Sequence, residues 1–121
     1  MALTGDEKKY IINRMQSLID TSRGKIINDT QIRKYASMAS QADCKEEFFN
    51  YLHYQIGRAP GHEKNFLRSV LDEITKMENK FSDEEKYLEA LAYFFGYMAR
   101  YKKFVDKSDD AQGEKGKRRQ Y

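Results

Sequence analysis

With 121 residues, 40% of them apolar and 34% charged, the chain has the size and balance of one soluble globular domain with a single core. Its longest apolar run, Leu91 to Phe95, is five residues, which excludes a helical membrane span. A net charge of +3 permits an anionic partner without requiring one, and the lone Cys44 leaves no internal disulfide. Met1 to Asp6 shows neither a basic n-region nor an apolar h-region, so no secretory signal is expected and the cytoplasm is the expected location.

In chain order, the pair Thr4 and Glu7 has capping-box spacing and opens a first helix over residues 5–21, which buries Ile11, Met15, Leu18 and Ile19. The loop Thr21-Ser22-Arg23-Gly24-Lys25 follows, with Gly24 free to take a left-handed turn conformation. A second helix, residues 30–42, is capped by Asn28 or Thr30 and buries Ile32, Tyr35, Ala36 and Ala39. Asp43 and Glu46 repeat the box spacing before a third helix over 44–58, which packs Phe48, Phe49, Leu52 and Ile56. Arg58-Ala59-Pro60-Gly61 breaks the chain, because proline lacks a donor and disfavours helix in the residue before it. A fourth helix, 62–80, carries Phe66, Val70, Leu71, Ile74 and Met77, and Ser82 with Glu85 announces a terminal helix over 86–105. No β-branched alternating segment competes with these periods. The expectation is all-α: a compact bundle of about five helices in residues 1–105, then a polar, flexible, basic-ended tail over 106–121.

The terminal helix is apolar on two opposite sides. At about 100° per residue, Leu88, Leu91, Phe95 and Met98 share one face, whereas Tyr93, Tyr97 and Phe104 lie opposite, beside Arg100 and Lys86. A helix at the edge of a small monomer needs one apolar stripe. The second must be covered by the rest of the fold, by another subunit, or by stacked nucleic-acid bases.

Catalytic and metal-binding patterns are missing from the sequence. The two histidines, His53 and His62, belong to no zinc or di-metal motif, and Cys44 and His53 point to opposite sides of one helix. Carboxylates such as Glu46, Glu47, Asp83, Glu84 and Glu85 cluster in first turns, where they meet the positive end of the helix dipole. No enzyme activity and no cofactor are expected.

Two basic regions carry the stronger signal. Residues 1–42 hold seven Lys and Arg against four Asp and Glu. Within them Arg23, Lys25, Arg33 and Lys34 flank the start of the second helix, whose first amides can bind phosphate, although Asp29 opposes an anion there. Arg100, Lys102, Lys103 and Lys107 interleave with Tyr93, Tyr97 and Tyr101, a combination that suits single-stranded nucleic acid.

The run Thr30-Gln31-Ile32-Arg33-Lys34, followed by Tyr35 and Met38, resembles an early helix in the small subunit of type III-A (Csm) CRISPR effector complexes. Tyr97-Met98-Ala99-Arg100, with Phe104 four residues on, resembles the end of that family's terminal helix. Helix order and length agree over residues 6–106; Asp29 and Ala99 depart from the family pattern. The resemblance implies a non-catalytic subunit for antiviral defence. Its copies would stack as homo-oligomers with other subunits and touch the target RNA and guide duplex backbone without reading sequence. It makes Arg33 and Arg100 backbone contacts, with Lys34 beside Arg33. The residues themselves name Arg23, Lys25, Arg33, Lys34, Arg100 and Lys103 for nucleic acid, and Tyr93, Tyr97 and Phe104 for an interface. The rival reading is a helical protein–protein module, a homodimer or adaptor that binds no nucleic acid.

Overall fold

A computed structural model of the protein describes residues 3–22 and 27–118, including the side chains of those up to Asp106. Five helices follow in order: α1 (Gly5–Ser22), α2 (Asp29–Gln41), α3 (Lys45–Arg58), α4 (Gly61–Met77) and α5 (Glu84–Arg118). Among the described residues there is no strand, and the fold is the compact all-α arrangement expected.

The helix ends explain the boundaries. Thr4 and Glu7 form the reciprocal box: the Thr4 amide donates to Glu7 Oε1 at 2.8 Å and the Glu7 amide to Thr4 Oγ1 at 3.1 Å. At α2 the cap is Asn28, whose Oδ1 accepts from the Gln31 amide at 2.9 Å. The box expected between Asp43 and Glu46 does not form. Cys44 occupies the N-cap and makes no side-chain cap bond, sulfur being a weak acceptor. Instead Glu47 accepts from the Asp43 amide at 2.8 Å, and Glu84 of α5 reaches over to accept from the Lys45 amide at 3.0 Å. The opening of α5 is likewise shifted by one residue: in place of Ser82 capping the Glu85 amide, Asp83 accepts from the Lys86 amide at 2.9 Å. Between α3 and α4, Ala59 is extended (φ −77°, ψ 148°), as a residue before proline prefers.

Helix α4 stops at Met77, three residues before the end expected for it at residue 80, and the reason lies in its last four carbonyls. Those of Thr75, Lys76 and Met77 are taken by the amides of Glu78, Asn79 and Lys80 in a tightened turn, at 3.2, 3.2 and 3.0 Å. The fourth, on Ile74, accepts from the buried hydroxyl of Tyr87 on α5 at 2.5 Å. A side chain from the next helix therefore completes the C-terminal cap.

Packing is organised around α5, which lies against α2 and α1, while α3 pairs with α4 and α1 also touches α4. Each helix contributes a stripe at helical period to one core: Ile11, Met15 and Ile19; Ile32, Tyr35 and Ala39; Phe48, Leu52 and Ile56; Phe66, Val70, Ile74 and Met77. Phe95 is the aromatic hub, with ring centroids 5.4 Å from Tyr35, 5.7 Å from Phe48 and 5.1 Å from Phe94. A two-pronged ion pair ties α1 to α4: Arg14 Nε and Nη2 donate to the Glu73 carboxylate at 2.5 and 2.9 Å. The hydrogen bonds to Glu73 hold the Arg14 guanidinium above its ordinary range.

Candidate nucleic-acid interface

The two faces of α5 receive different cover. Leu88, Leu91, Phe95 and Met98 are buried in the core as one stripe. On the opposite side α1 lies over much of the tyrosine stripe. Lys86 pairs with Glu7 at 3.0 Å, the Lys8 ammonium sits 5.1 Å from the Tyr93 ring, and the Tyr101 hydroxyl donates to Asp20 at 2.8 Å. Tyr93 and Tyr97 are half-buried as a result, with their rings 5.5 Å apart. Of the three interface candidates only Phe104 stays open, 63% exposed and stacked on Tyr101 at 5.9 Å. The fold itself thus supplies most of the cover that the second stripe requires.

Helices α2 and α5 run antiparallel. Near one end Asp29 faces Lys102 and Lys103 at 3.5 and 3.6 Å; at the other Ala39, Ser40 and Ala42 face the stretch from Glu85 to Tyr97. This pairing brings together two basic regions far apart in sequence. Arg33 follows Asp29 by one turn of α2, and Arg100 precedes Lys103 by three residues of α5, so each lies on the side of its helix that carries the Asp29–Lys103 contact. Both arginines are exposed, and among the described residues neither has a carboxylate within 4.0 Å.

Their neighbours are less available. Lys102 is sequestered between Asp29 and Asp106, the latter at 2.6 Å, with a side chain only 14% exposed. Burial alone would lower its pKa, yet the two carboxylates hold the ammonium above its usual value. Lys103 is open but shares Asp29. Lys34 lies about 100° round α2 from Arg33 and lines a different cleft, with Tyr51, Arg58 and Glu63. Arg23 and Lys25 fall outside the described residues.

Between α2 and α5 runs a groove of about 620 Å³, with Ser40 and Ala39 on one wall and Tyr93, Gly96, Tyr97 and Arg100 on the other. A side chain added at Gly96 would meet nothing within 4 Å, so the groove floor is bare backbone there. Its potential is graded: Arg100 stands at the end nearer Arg33, Glu85 and Glu89 at the other. An anion is favoured at the arginine end and repelled at the acidic one.

His53 is exposed, and His62 is 3.9 Å from Glu63 at the surface. Among the described residues no group of three or more His, Cys, Asp and Glu is placed to hold a metal ion, and no helix is long and apolar enough to cross a membrane. Sequence reasoning missed Tyr87 as a cap and Arg58 as a cleft residue; neither stands in a motif, and both act through partners on other helices. Comparison of the chain with protein-family models, with curated proteins and with solved structures finds no match.

Proposed function

We propose that the chain is a non-catalytic RNA-backbone-binding subunit, and that its role is that of the small subunit of a type III-A CRISPR effector complex. The observation that carries the RNA reading is the convergence of Arg33 and Arg100 on one edge, each without an ion-pair partner among the described residues. Two guanidiniums on rigid, adjacent helices match phosphate oxygens and carry no base information. The acidic end of the groove turns the strand across the α2–α5 edge rather than along it. The CRISPR assignment rests on the resemblance at Thr30 to Lys34 and Tyr97 to Arg100.

The test is fluorescence anisotropy with unrelated single-stranded RNAs at two salt concentrations. Binding should be indifferent to sequence, and Arg33→Ala and Arg100→Ala should each reduce the log–log salt slope by about 0.7. Unchanged RNA affinity in both variants, measured in the assembled complex as well as with the isolated chain, would sink the assignment.

One observation favours the rival protein–protein module, namely the exposed Phe104 stacked on Tyr101. That reading expects a homodimer in sedimentation velocity that Phe104→Ala dissociates, with no RNA binding by either species.

A further inference from the structure

A second site lies where the first turns of α2, the last turns of α3 and the start of α4 meet. The cleft there measures about 280 Å³ and is lined by Gln31, Lys34, Tyr35, Tyr51, Gln55, Arg58 and Glu63, with Ala59 and Pro60 at its rim. At about 30 Å³ per water, it has room for a small ligand. The unusual member is Tyr35. Its side chain is 1% exposed and its hydroxyl has no hydrogen-bond partner, although buried polar groups are normally paired. Tyr35 lines the cleft beside Tyr51, their ring centroids 5.6 Å apart, and the cleft residues Tyr51, Glu63 and Arg58 are the groups close enough to act on its hydroxyl. Burial keeps the phenol protonated, and it is a donor waiting for an acceptor. The first turn of α4 adds to this, because Pro60 at its N-cap provides no side-chain acceptor for the amides that follow.

We propose that this cleft binds inorganic phosphate or a phosphomonoester, independently of the RNA edge. Lys34 and Arg58 supply positive charge, and Tyr35, Tyr51 and the two glutamine amides supply further donors. Glu63 then has a specific role instead of being a defect. As a carboxylate it only accepts hydrogen bonds, so it repels a fully deprotonated anion but accepts the P–OH hydrogen of a singly protonated phosphate. The second pKa of a phosphomonoester is about 6, so that proton is present in a useful fraction near neutrality. Sulfate and phosphodiesters carry no such hydrogen. The site therefore discriminates by proton count as well as by charge.

The test uses the full chain and heteronuclear NMR titrations, at constant ionic strength, with inorganic phosphate, methyl phosphate, dimethyl phosphate and sodium sulfate. Saturable shifts confined to Gln31–Tyr35, Tyr51–Arg58 and Glu63 are expected for the first two, with sulfate and dimethyl phosphate weaker by about tenfold or more. Lys34→Met and Arg58→Met alter exposed residues and keep the fold, and each should weaken phosphate by about tenfold. Glu63→Gln should remove the preference for phosphate over sulfate. Tighter binding of inorganic phosphate than of methyl phosphate identifies the free ion as the ligand, and the reverse order identifies a terminal phosphate. Equal, non-saturating responses to sulfate and phosphate, or shifts spread over the surface, would overturn the proposal.

Discussion

Removing one oxygen from Tyr87 tests the account of how α4 ends. Tyr87→Phe keeps the ring, its burial and its contact with Phe49, whose centroid is 6.4 Å away. What disappears is the donor to the Ile74 carbonyl, the one of the last four in α4 that the following turn does not satisfy. Burial, with Glu78 adding to it, pushes the phenol above the ordinary tyrosine range, so it remains a donor throughout the neutral and mildly alkaline range. A buried acceptor left unpaired costs about 1–3 kcal/mol. With an unfolding entropy near 2.1 cal/mol/K per residue, each kcal/mol lowers Tm by roughly 5 °C in a domain of about 100 residues. Urea unfolding should therefore show a lower midpoint at unchanged slope. Tyr97→Phe serves as the control, because Tyr97 is half-buried and its hydroxyl makes no hydrogen bond among the described residues, and it should stay within about 0.5 kcal/mol of the parent. A Tyr87→Phe loss no larger than that of the control would refute the capping argument.

Two further predictions concern the ties of α1. The hydrogen bond from the Thr4 amide, with help from Lys86, holds the Glu7 carboxyl below its reference value of 4.5. A carboxylate with a depressed folded pKa adds stability above its unfolded pKa and loses it as pH falls through the folded value. The Tm gap between the parent and Glu7→Gln should accordingly be widest at neutral pH and close well below pH 4.5, and a gap independent of pH would contradict the box. For the Arg14–Glu73 pair, Arg14→Met strands a carboxylate whose side chain is 11% exposed; with Arg14 itself 40% exposed, the cost is at the lower end of about 1–3 kcal/mol. Arg14→Met combined with Glu73→Met should recover most of that loss in the same urea experiment, and purely additive losses would show that the two groups do not interact.

The architecture was legible where each helix advertises itself locally. A strict apolar period such as Ile11, Met15 and Ile19, or Phe48, Leu52 and Ile56, states both helix and buried face within one segment. Legibility fails where one element satisfies another. Cys44 at the α3 N-cap offers almost nothing to a reader of the sequence, because its missing acceptor is supplied by Glu84, 39 residues from Lys45. The last turn of α4 looked three residues longer because no proline or glycine follows Met77 in Glu78-Asn79-Lys80-Phe81. The candidate interface divides in the same way. The charge on Arg33 and Arg100 is plain in the sequence, but their common edge follows from the antiparallel pairing of α2 with α5. Periodicity likewise marked the tyrosine face without revealing that α1 would occupy much of it.

The same pairing assigns Asp29 a controlling role. It stands at the start of α2 and draws on both Lys102 and Lys103, so part of the basic cluster at the end of α5 is spent inside the molecule. At the α2–α5 edge an isolated copy is left with Arg33 and Arg100 as cations that no described carboxylate pairs, and two single-strand phosphate contacts give a salt slope of only about 1.4. Weak binding by one copy and strong binding by an array is the behaviour that multivalency produces. Asp29→Asn separates this from a generic charge effect. It releases Lys103 to the edge, while Asp106 continues to hold Lys102. The slope should rise by about 0.7, the increment for one added contact. Helix stability should fall by about 0.3–1 kcal/mol, because a negative charge leaves the positive end of the α2 dipole. If RNA affinity rises with no change in slope, Lys103 is not the residue released, and the RNA path does not cross this edge.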